Sequence, residues 1–581
     1  MEYYYSIEEN VQVIIGLLKA HGIRRVIASP GTTNVCLVES MRYDGSFEMY
    51  SCVDERSAAY IACGMAEESG EPVVLTCTGA TASRNYIPGL TEAYYRKLPV
   101  VAITASLPEG RIGQNYPQTI DRRILLNDIS VLSVQLPFIF SREDAWTNNL
   151  RVNNALIACR KNGGGPVHIN WTTFCSTDYS IKELPHQRVV TFVSHNSVFP
   201  EICVDRVGVF VGNHSVFSKE LEESIDLFCE KYNGVVLVDQ TSNYRGKYRI
   251  LGSIVANQEL KNNVLCEIPL LVYIGNVSGA YLDLRPEKVW RVNPDGESRD
   301  YFKVVDKIFA MDERAFFEHY TNTKETNENG EYYRAWKSAH DSIVQKIPEL
   351  PFSNIWIAKE LSGLLPSDSV VHLGILNSLR SWNFFETPGS TACYSNTGGF
   401  GIDGDISALI GASLVHPDKL YFAFVGDLAF FYDLNAIGNR HVGNNIRILL
   451  INNGRGTEFR NYNHRGAIFG PNETDRFIAA AGHFGNQSRE LVQHYSKDLG
   501  FKYLCASNKK EFLNQKEVFL DPLPTKAPIL FEVFTNSEDE SDALRIINTL
   551  EVSAAGAAKS AIKKVLGDQG VSSVKKIFCR N

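Results

Sequence analysis

Much of what would sort a 581-residue sequence into an easy class is missing here. No uninterrupted apolar run approaches the ~18 residues that a membrane-spanning helix requires, so no membrane span is expected. The segment 1–10 (MEYYYSIEEN) lacks the basic-then-apolar layout of a secretory leader, and a cytoplasmic location is expected. The 12 cysteines include no C-x-x-C pair and no local His/Cys cluster. Cys63, Cys77 and Cys266 lie in apolar surroundings and read as small buried hydrophobes, not as a disulfide framework or a zinc site. A basic excess is also absent. With 58 Lys and Arg against 66 Asp and Glu the formal net charge is −8, and no nucleic-acid partner is expected.

What is present is ordinary for a globular chain, 44% hydrophobic and 21% charged, with length for about three or four domains. Residues 6–20 carry helical periodicity, with Ser6 and Glu9 in capping-box spacing. Strands at 25–28, before Asp54, at 73–77 and at 99–104 then alternate with helices at 35–41, 57–68 and 85–96, and 163–169 reads as the last strand of this unit. That alternation predicts a parallel sheet covered on both faces. A second unit repeats the pattern with strands at 207–211, 235–238 and 270–274. Their turns contain no G-x-G-x-x-G, so nothing specific supports a dinucleotide site. The polar stretch 321–331 marks a linker. A third unit follows, built like the first. The expected fold class is α/β, with three doubly wound parallel-sheet domains at 1–185, 186–345 and 346–550, then a lysine-bearing helical tail at 551–581.

The third unit holds the most informative stretch. The apolar run 420–425 ends at Gly426-Asp427, and a second apolar run, 446–451, ends at Asn452-Asn453, with a span of helical length expected at about 434–442. A carboxylate and a carboxamide thus sit at the C-terminal ends of neighbouring strands, the edge of an open α/β sheet where ligands bind. That oxygen-only donor set suits Mg2+. From this stretch alone, an aspartate that merely caps a helix fits equally well.

Three segments together carry a resemblance: Asp54-Glu55-Arg56-Ser57-Ala58-Ala59 with Cys77-Thr78-Gly79-Ala80-Thr81-Ala82; Gly401-Ile402-Asp403-Gly404; and Gly426-Asp427-Leu428 through Asp433-Leu434-Asn435-Ala436. Over roughly residues 5–540 the chain resembles the thiamine-diphosphate-dependent decarboxylases and carboligases, most of all the SEPHCHC synthases of menaquinone formation. Asn453 follows Asp427 by 26 residues, close to the spacing of that family. The resemblance implies thiamine diphosphate and Mg2+ as cofactors and a homodimer or homotetramer as the working unit. Glu55 matches the glutamate that hydrogen-bonds the aminopyrimidine, and Gln118 matches a glutamine of the active site. Cofactor contacts are implied for Glu55, Asn377, Ser378, Phe400, Gly401, Ile402, Gly426, Asp427, Leu428, Ala429, Asn453, Gly456 and Thr457. Ile402 matches the residue that props the cofactor into its bent shape. Asn377 and Ser378 suit a loop-capping role nearly as well, and Gln118 also suits a surface loop. Asp427 and Asn453, by side chain, and Arg455, by its carbonyl, match the metal ligands.

The chain departs from the SEPHCHC synthases where they hold the carboxylates of 2-oxoglutarate and isochorismate. Their arginine positions fall on Thr33, Leu107, Trp382 and Thr397, all uncharged, with Arg380 and Arg111 nearby. Bidentate arginines are the usual device for such anions. The expectation is therefore a decarboxylase or carboligase for a 2-oxo acid, with an acceptor, acting on a different substrate in a reshaped pocket near Trp382 and Phe400. A SEPHCHC synthase with a divergent clamp and a simple 2-oxo-acid decarboxylase are the alternatives.

Overall fold

A computed structural model describes residues 4–322, 330–482, 488–553 and 556, with the Asn162 side chain left undescribed. The chain divides into two compact units, 1–198 with 296–310, and 199–295 with 311–581. The expected linker, 321–331, falls mostly outside the described residues, as does nearly all of the expected helical tail. Among the described residues no helix is long and apolar enough to cross a membrane.

In the first unit, β1 (Arg25–Ala28), β2 (Glu48–Ser51), β3 (Val73–Cys77), β4 (Val100–Ser106), β5 (Leu132–Leu136) and β6 (Val167–Thr172) form one parallel sheet in the order β2-β1-β3-β4-β6-β5. β3 is buried at every position, as a strand covered by helices on both faces must be. β5 is not legible in the sequence, because its half-buried Leu132, Ser133 and Gln135 break the apolar run. The last strand in chain order, β6, inserts between β4 and β5. The capping box expected at Ser6 and Glu9 does not form. The helix Glu9–Ala20 has Glu8 as its N-cap, and the Ser6 hydroxyl accepts instead from the Glu8 N–H at 3.3 Å. Glu8 is buried because its carboxylate receives the Thr173 hydroxyl and the Ser176 N–H, both at 2.9 Å. A short strand, β7 (Thr191–Val193), follows.

The second unit contains β8 (Val207–Val211), β9 (Gly234–Val238), β10 (Arg249–Leu251), β11 (Glu267–Ile274) and β12 (Arg285–Val292), parallel in the order β10-β9-β8-β11-β12. The order reverses between β8 and β11, where such sheets commonly bind dinucleotides. Here backbone fills the crevice: Asn276 donates to the Asn213 carbonyl at 2.8 Å, and a Cβ on Gly212 would lie 2.0 Å from the Asn276 carbonyl. β13 (Val305–Phe309) returns to the first unit and pairs in parallel with β7.

The remaining strands, β14 (Val370–Leu373), β15 (Ala392–Tyr394), β16 (Tyr421–Gly426), β17 (Ile446–Asn452), β18 (Lys502–Ala506) and β19 (Ile529–Phe534), form a third parallel sheet in the order β15-β14-β16-β17-β19-β18. Counted from its own first strand, this is the same permutation as the first sheet. The two sheets are versions of one βα architecture, and the fold class is α/β with three parallel sheets.

Candidate active site

In the third sheet the strand order reverses between β14 and β16, and the residues singled out in the sequence lie at that switch point and on the neighbouring strand end. Asn377 and Ser378 open the helix Asn377–Trp382 after β14, and Asp427 opens the helix Asp427–Tyr432 directly after β16. The helix expected at 434–442 is displaced. Its residues form a short 3-10 turn, Leu434–Gly438, because Asp433 turns inward to accept the Ser407 N–H and hydroxyl, both at 2.6 Å.

Gly426, not Asp427, is the N-cap of that helix. The buried Asp427 carboxylate instead receives backbone N–H groups from both strand ends: Leu428 at 2.8 Å, Gly454 at 2.5 Å and Arg455 at 3.1 Å. Burial still pushes it up to about 6, against the pull of those donors. Beside it, the Asn453 side-chain oxygen and the Thr457 hydroxyl are buried without a hydrogen-bond partner among the described residues. An orphaned buried acceptor normally marks a missing ligand, water or ion. One carboxylate, one carboxamide oxygen and a backbone carbonyl suit a hard cation, and such a donor set fits Mg2+. The Arg455 carbonyl accepts the Thr457 N–H at 2.9 Å and keeps a second lone pair, while the Arg455 guanidinium is held by Asp475 at 2.5 Å. A Cβ on Gly426 would meet open space, whereas one on Gly456 would lie 3.0 Å from the Phe459 ring and 3.2 Å from Leu428.

Around this centre, Leu376 holds φ +67, strained for a bulky residue, and so aims Asn377 and Ser378 off the strand end. The Asn377 side-chain oxygen accepts from Arg380 at 3.1 Å and Asn461 at 3.2 Å, and the buried Ser378 hydroxyl accepts from Asn354 at 3.2 Å. Ile402 packs its apolar side chain on the core formed by Ile406, Phe430 and Ile448. Phe400, at φ +56, and Gly401 lie in the loop before it, and Phe400 joins Leu376, Arg380 and Glu458 in the wall of a cavity of about 810 Å3. Ala429 is buried in the same core, with Leu428 beside it half-buried.

In the first unit, Asp54 caps the helix Glu55–Ser69 by accepting the Arg56 N–H at 3.0 Å, which places Glu55 in the first turn. Its half-buried carboxylate accepts from Asn85 at 3.3 Å. Ala59 and Gly89 let this helix meet the helix Ile87–Arg96 so closely that a Cβ on Gly89 would lie 2.5 Å from that of Ala59. Gln118 is exposed, at φ +57, and its carbonyl lies against Gly79 in the turn after β3.

The four positions without arginine divide into two kinds. Thr33 and Leu107 are half-buried at the edge of the first sheet, and the Thr33 hydroxyl has no partner among the described residues. Trp382 does not shape a pocket: it is fully buried, with its ring 4.1 Å from that of Phe424. Thr397 is buried too. Arg380 gives both terminal nitrogens to Glu458, at 2.7 and 2.8 Å, and Arg111 lies 4.9 Å from the Tyr116 ring.

Sequence patterns missed two carboxylates. Glu540 is buried under the site, accepting the Asn354 N–H with both oxygens at 3.0 Å and the Thr535 hydroxyl at 2.8 Å. Burial, with smaller pushes from Asp539 and Asp427, takes it up to about 7 against the pull of those hydrogen bonds. Asp405, at the start of the helix Asp405–Ser413, has one oxygen bound by Asn396 at 3.0 Å and the other buried without a partner among the described residues. It too is pushed up to about 7 by burial, with repulsion from Asp433 and Asp403. Asp405 directly follows the Gly-Ile-Asp-Gly segment, a signal of position but not of burial. Glu540 has none.

Residues 9–124 match the family model described as thiamine pyrophosphate enzyme, N-terminal TPP binding domain. Curated relatives similar to the chain include the 2-succinyl-5-enolpyruvyl-6-hydroxy-3-cyclohexene-1-carboxylate synthase of Bacteroides fragilis, 30% identical over 560 residues, covering 93% of this chain and 98% of the relative. The enzyme of the same name from Bacteroides thetaiotaomicron is 30% identical over 558 residues, again 93% and 98% of the two chains. That from Desulfotalea psychrophila is 27% identical over 537 residues, 87% and 96%. A match of this identity along nearly the whole of both chains, on a fold with Asp427 and Asn453 at the ends of neighbouring strands, makes this protein a member of the thiamine pyrophosphate enzyme family to which these synthases belong.

Proposed function

We propose that the protein decarboxylates a 2-oxo acid and joins the resulting acyl carbanion to an acceptor, using thiamine diphosphate and Mg2+, and that its substrates differ from 2-oxoglutarate and isochorismate. Thiamine diphosphate, when bound, supplies the electron sink for loss of CO2 and for carbon–carbon bond formation. The residues of the chain hold and orient. Asp427, Asn453 and the Arg455 carbonyl would hold the metal, and the Gly426–Ala429 turn, with Asn377, Ser378, Gly456 and Thr457, would hold the diphosphate. Phe400, Gly401 and Ile402 would support the ring system. Glu55 would keep a proton at the pyrimidine, and Gln118 would face the substrate.

The observation that carries the difference in substrate is the pairing of Arg380 with Glu458. An arginine already neutralised by a bidentate carboxylate cannot clamp a second one at full strength. Trp382 and Thr397 are buried and uncharged. A homodimer or homotetramer in the cytoplasm is part of the proposal. Val53, Tyr60 and Ile61, exposed by 78%, 47% and 45% around Glu55, support a second copy covering this face.

The test is CO2 release from a panel of 2-oxo acids with Mg2+ and thiamine diphosphate, alone and with aldehyde or activated-alkene acceptors. No release with any donor rejects the proposal. A second reading, SEPHCHC synthase activity itself, is favoured by the similarity along 93% of the chain. Turnover of 2-oxoglutarate with isochorismate at a rate above all other pairs establishes it instead.

A further inference from the structure

One buried cation in the first unit, Arg122, has no counter-charge among the described residues. Arg122 is 4% exposed, and it forms no ion pair among the described residues. Of its terminal nitrogens, one donates to the Ala105 carbonyl at 2.7 Å and the other is buried without a partner among the described residues. The acids closest in sequence have other partners: Asp121 and Glu109 both bind Arg123, at 2.7 and 2.9 Å, and Asp128 accepts the Tyr95 hydroxyl at 3.3 Å. Arg84 adds like charge nearby, donating to the Asp121 carbonyl at 3.1 Å. Burial lowers the Arg122 guanidinium to about 10, so it stays protonated at neutral pH. An unpaired buried charge is costly, and proteins seldom keep one without use.

Its place in the fold suggests the use. The guanidinium lies at the C-terminal edge of β3 and β4, under the turn that carries Gly79. A Cβ on Gly79 would stand 3.4 Å from it and 3.3 Å from the Gln118 carbonyl. Cys77 ends β3 just before that turn, and burial pushes its thiol up. The loop is held from behind, where Gln135 donates to the Arg122 carbonyl at 3.4 Å.

We propose that Arg122 pairs with a substrate carboxylate that survives the reaction, in place of the arginines absent from Thr33, Leu107, Trp382 and Thr397. The carboxylate that leaves as CO2 is the wrong partner, because pairing it would stabilise the ground state that has to lose it. The survivor belongs either to the acceptor or to the far end of a dicarboxylic donor. This rests on the proposal that the enzyme acts on 2-oxo acids, yet its test is a binding measurement that needs no turnover.

The holoprotein with Mg2+ and thiamine diphosphate is titrated calorimetrically with glutarate, which imitates the far end of a donor, and with cyclohexanecarboxylate, which imitates a ring acceptor. The corresponding amides serve as neutral controls. In Arg122→Met one of the two acids is expected to bind about 30-fold more weakly or worse, the usual consequence of truncating one member of a buried charge pair. Which acid responds identifies the source. The amides should bind both proteins equally, and Arg122→Lys should retain part of the affinity. The cofactor-free Arg122→Met protein should melt no lower than the wild type, since an uncompensated charge has been removed. A melting temperature several degrees lower assigns the guanidinium to structure and overturns the proposal. Equal binding of both acids by wild type and variant, or binding of neither acid by the wild type, also overturns it. Absence of CO2 release in the separate donor panel bears only on the proposed reaction.

Discussion

Arg380 and Glu458 form a bidentate ion pair across the wall of the large cavity, with both terminal nitrogens of the arginine on the two oxygens of one carboxylate at 2.7 and 2.8 Å. The pair is anchored on both sides, by Asn377 to Arg380 at 3.1 Å and by Asn461 to Glu458 at 3.2 Å. Such a fork fixes two planar groups and leaves little of the guanidinium for a ligand.

Replacing Glu458 by Gln should therefore release a cation into the cavity. Binding of 2-oxoglutarate to the holoprotein is expected to tighten about tenfold, corresponding to ~1.4 kcal/mol. Calorimetric titration of wild type and variant measures it. Unchanged affinity would show that Arg380 does not face the ligand.

At the metal end, Asp427→Asn and Asn453→Ala should each weaken Mg2+ binding by more than the roughly 10–100-fold that loss of an outer-shell partner costs. Asn453→Ala removes an oxygen that has no partner among the described residues, so the metal-free variant should fold with little loss of stability. Titration with Mn2+ followed by paramagnetic relaxation reports the first effect and thermal melting the second. If the metal affinity of both variants matches that of the wild type, the ligand assignment is wrong.

Glu55→Gln keeps the shape of the side chain and can still accept from Asn85 through its amide oxygen. Turnover should fall by about 10^2–10^4-fold, the range for losing a positioned proton-holding group, while thiamine diphosphate still binds. A variant that binds cofactor and turns over normally would remove Glu55 from the chemistry.

Asp405 gives a prediction about pH. Its carboxyl is pushed from 3.8 up to about 7 by burial, with Asp433 and Asp403 adding to the rise. The folded state thus holds the proton more tightly than the unfolded one. That stabilisation is complete below about 3.8 and is lost as pH rises through about 7. Asp405→Asn, which never ionises, should be more stable than the wild type at pH 8 by ~1–3 kcal/mol; the gain should be clearly smaller at pH 5 and vanish only below about 3.8. Urea unfolding at the two pH values measures the difference. A gain at pH 5 that matches the gain at pH 8 would mean that ionisation is not its cause.

The strand ends that carry the candidate cofactor residues were legible in the sequence. β16 and β17 are largely apolar runs, and each is followed directly by a candidate metal ligand, Asp427 and Asn453, at the C-terminal edge of the sheet. The capping box at Ser6 was not legible correctly, because Ser6 is fully buried and its hydroxyl turns to Glu8. The half-buried β5 was missed because only two of its residues, Val134 and Leu136, are buried. Trp382 reads as a pocket wall in the sequence because it falls at an arginine position of the related synthases, whereas its neighbour in space is Phe424 on β16.

Residue order by itself determined the alternation of strands and helices, the parallel sheets that follow from it, and the identity of the residues at each strand end. These properties are local: side-chain periodicity and turn chemistry act over a few residues, so the pattern can be read without knowing what lies opposite. Tertiary structure alone decided the shared strand order of the first and third sheets, which puts Asp427 and Asn377 at one switch point. It also decided that Arg380 is neutralised by a glutamate 78 residues away, while Arg122 is buried with no acid beside it among the described residues. Whether a charge is matched depends on which distant side chains the fold brings within about 4 Å, and Coulomb energy at that range is set by burial and geometry, which sequence spacing does not contain.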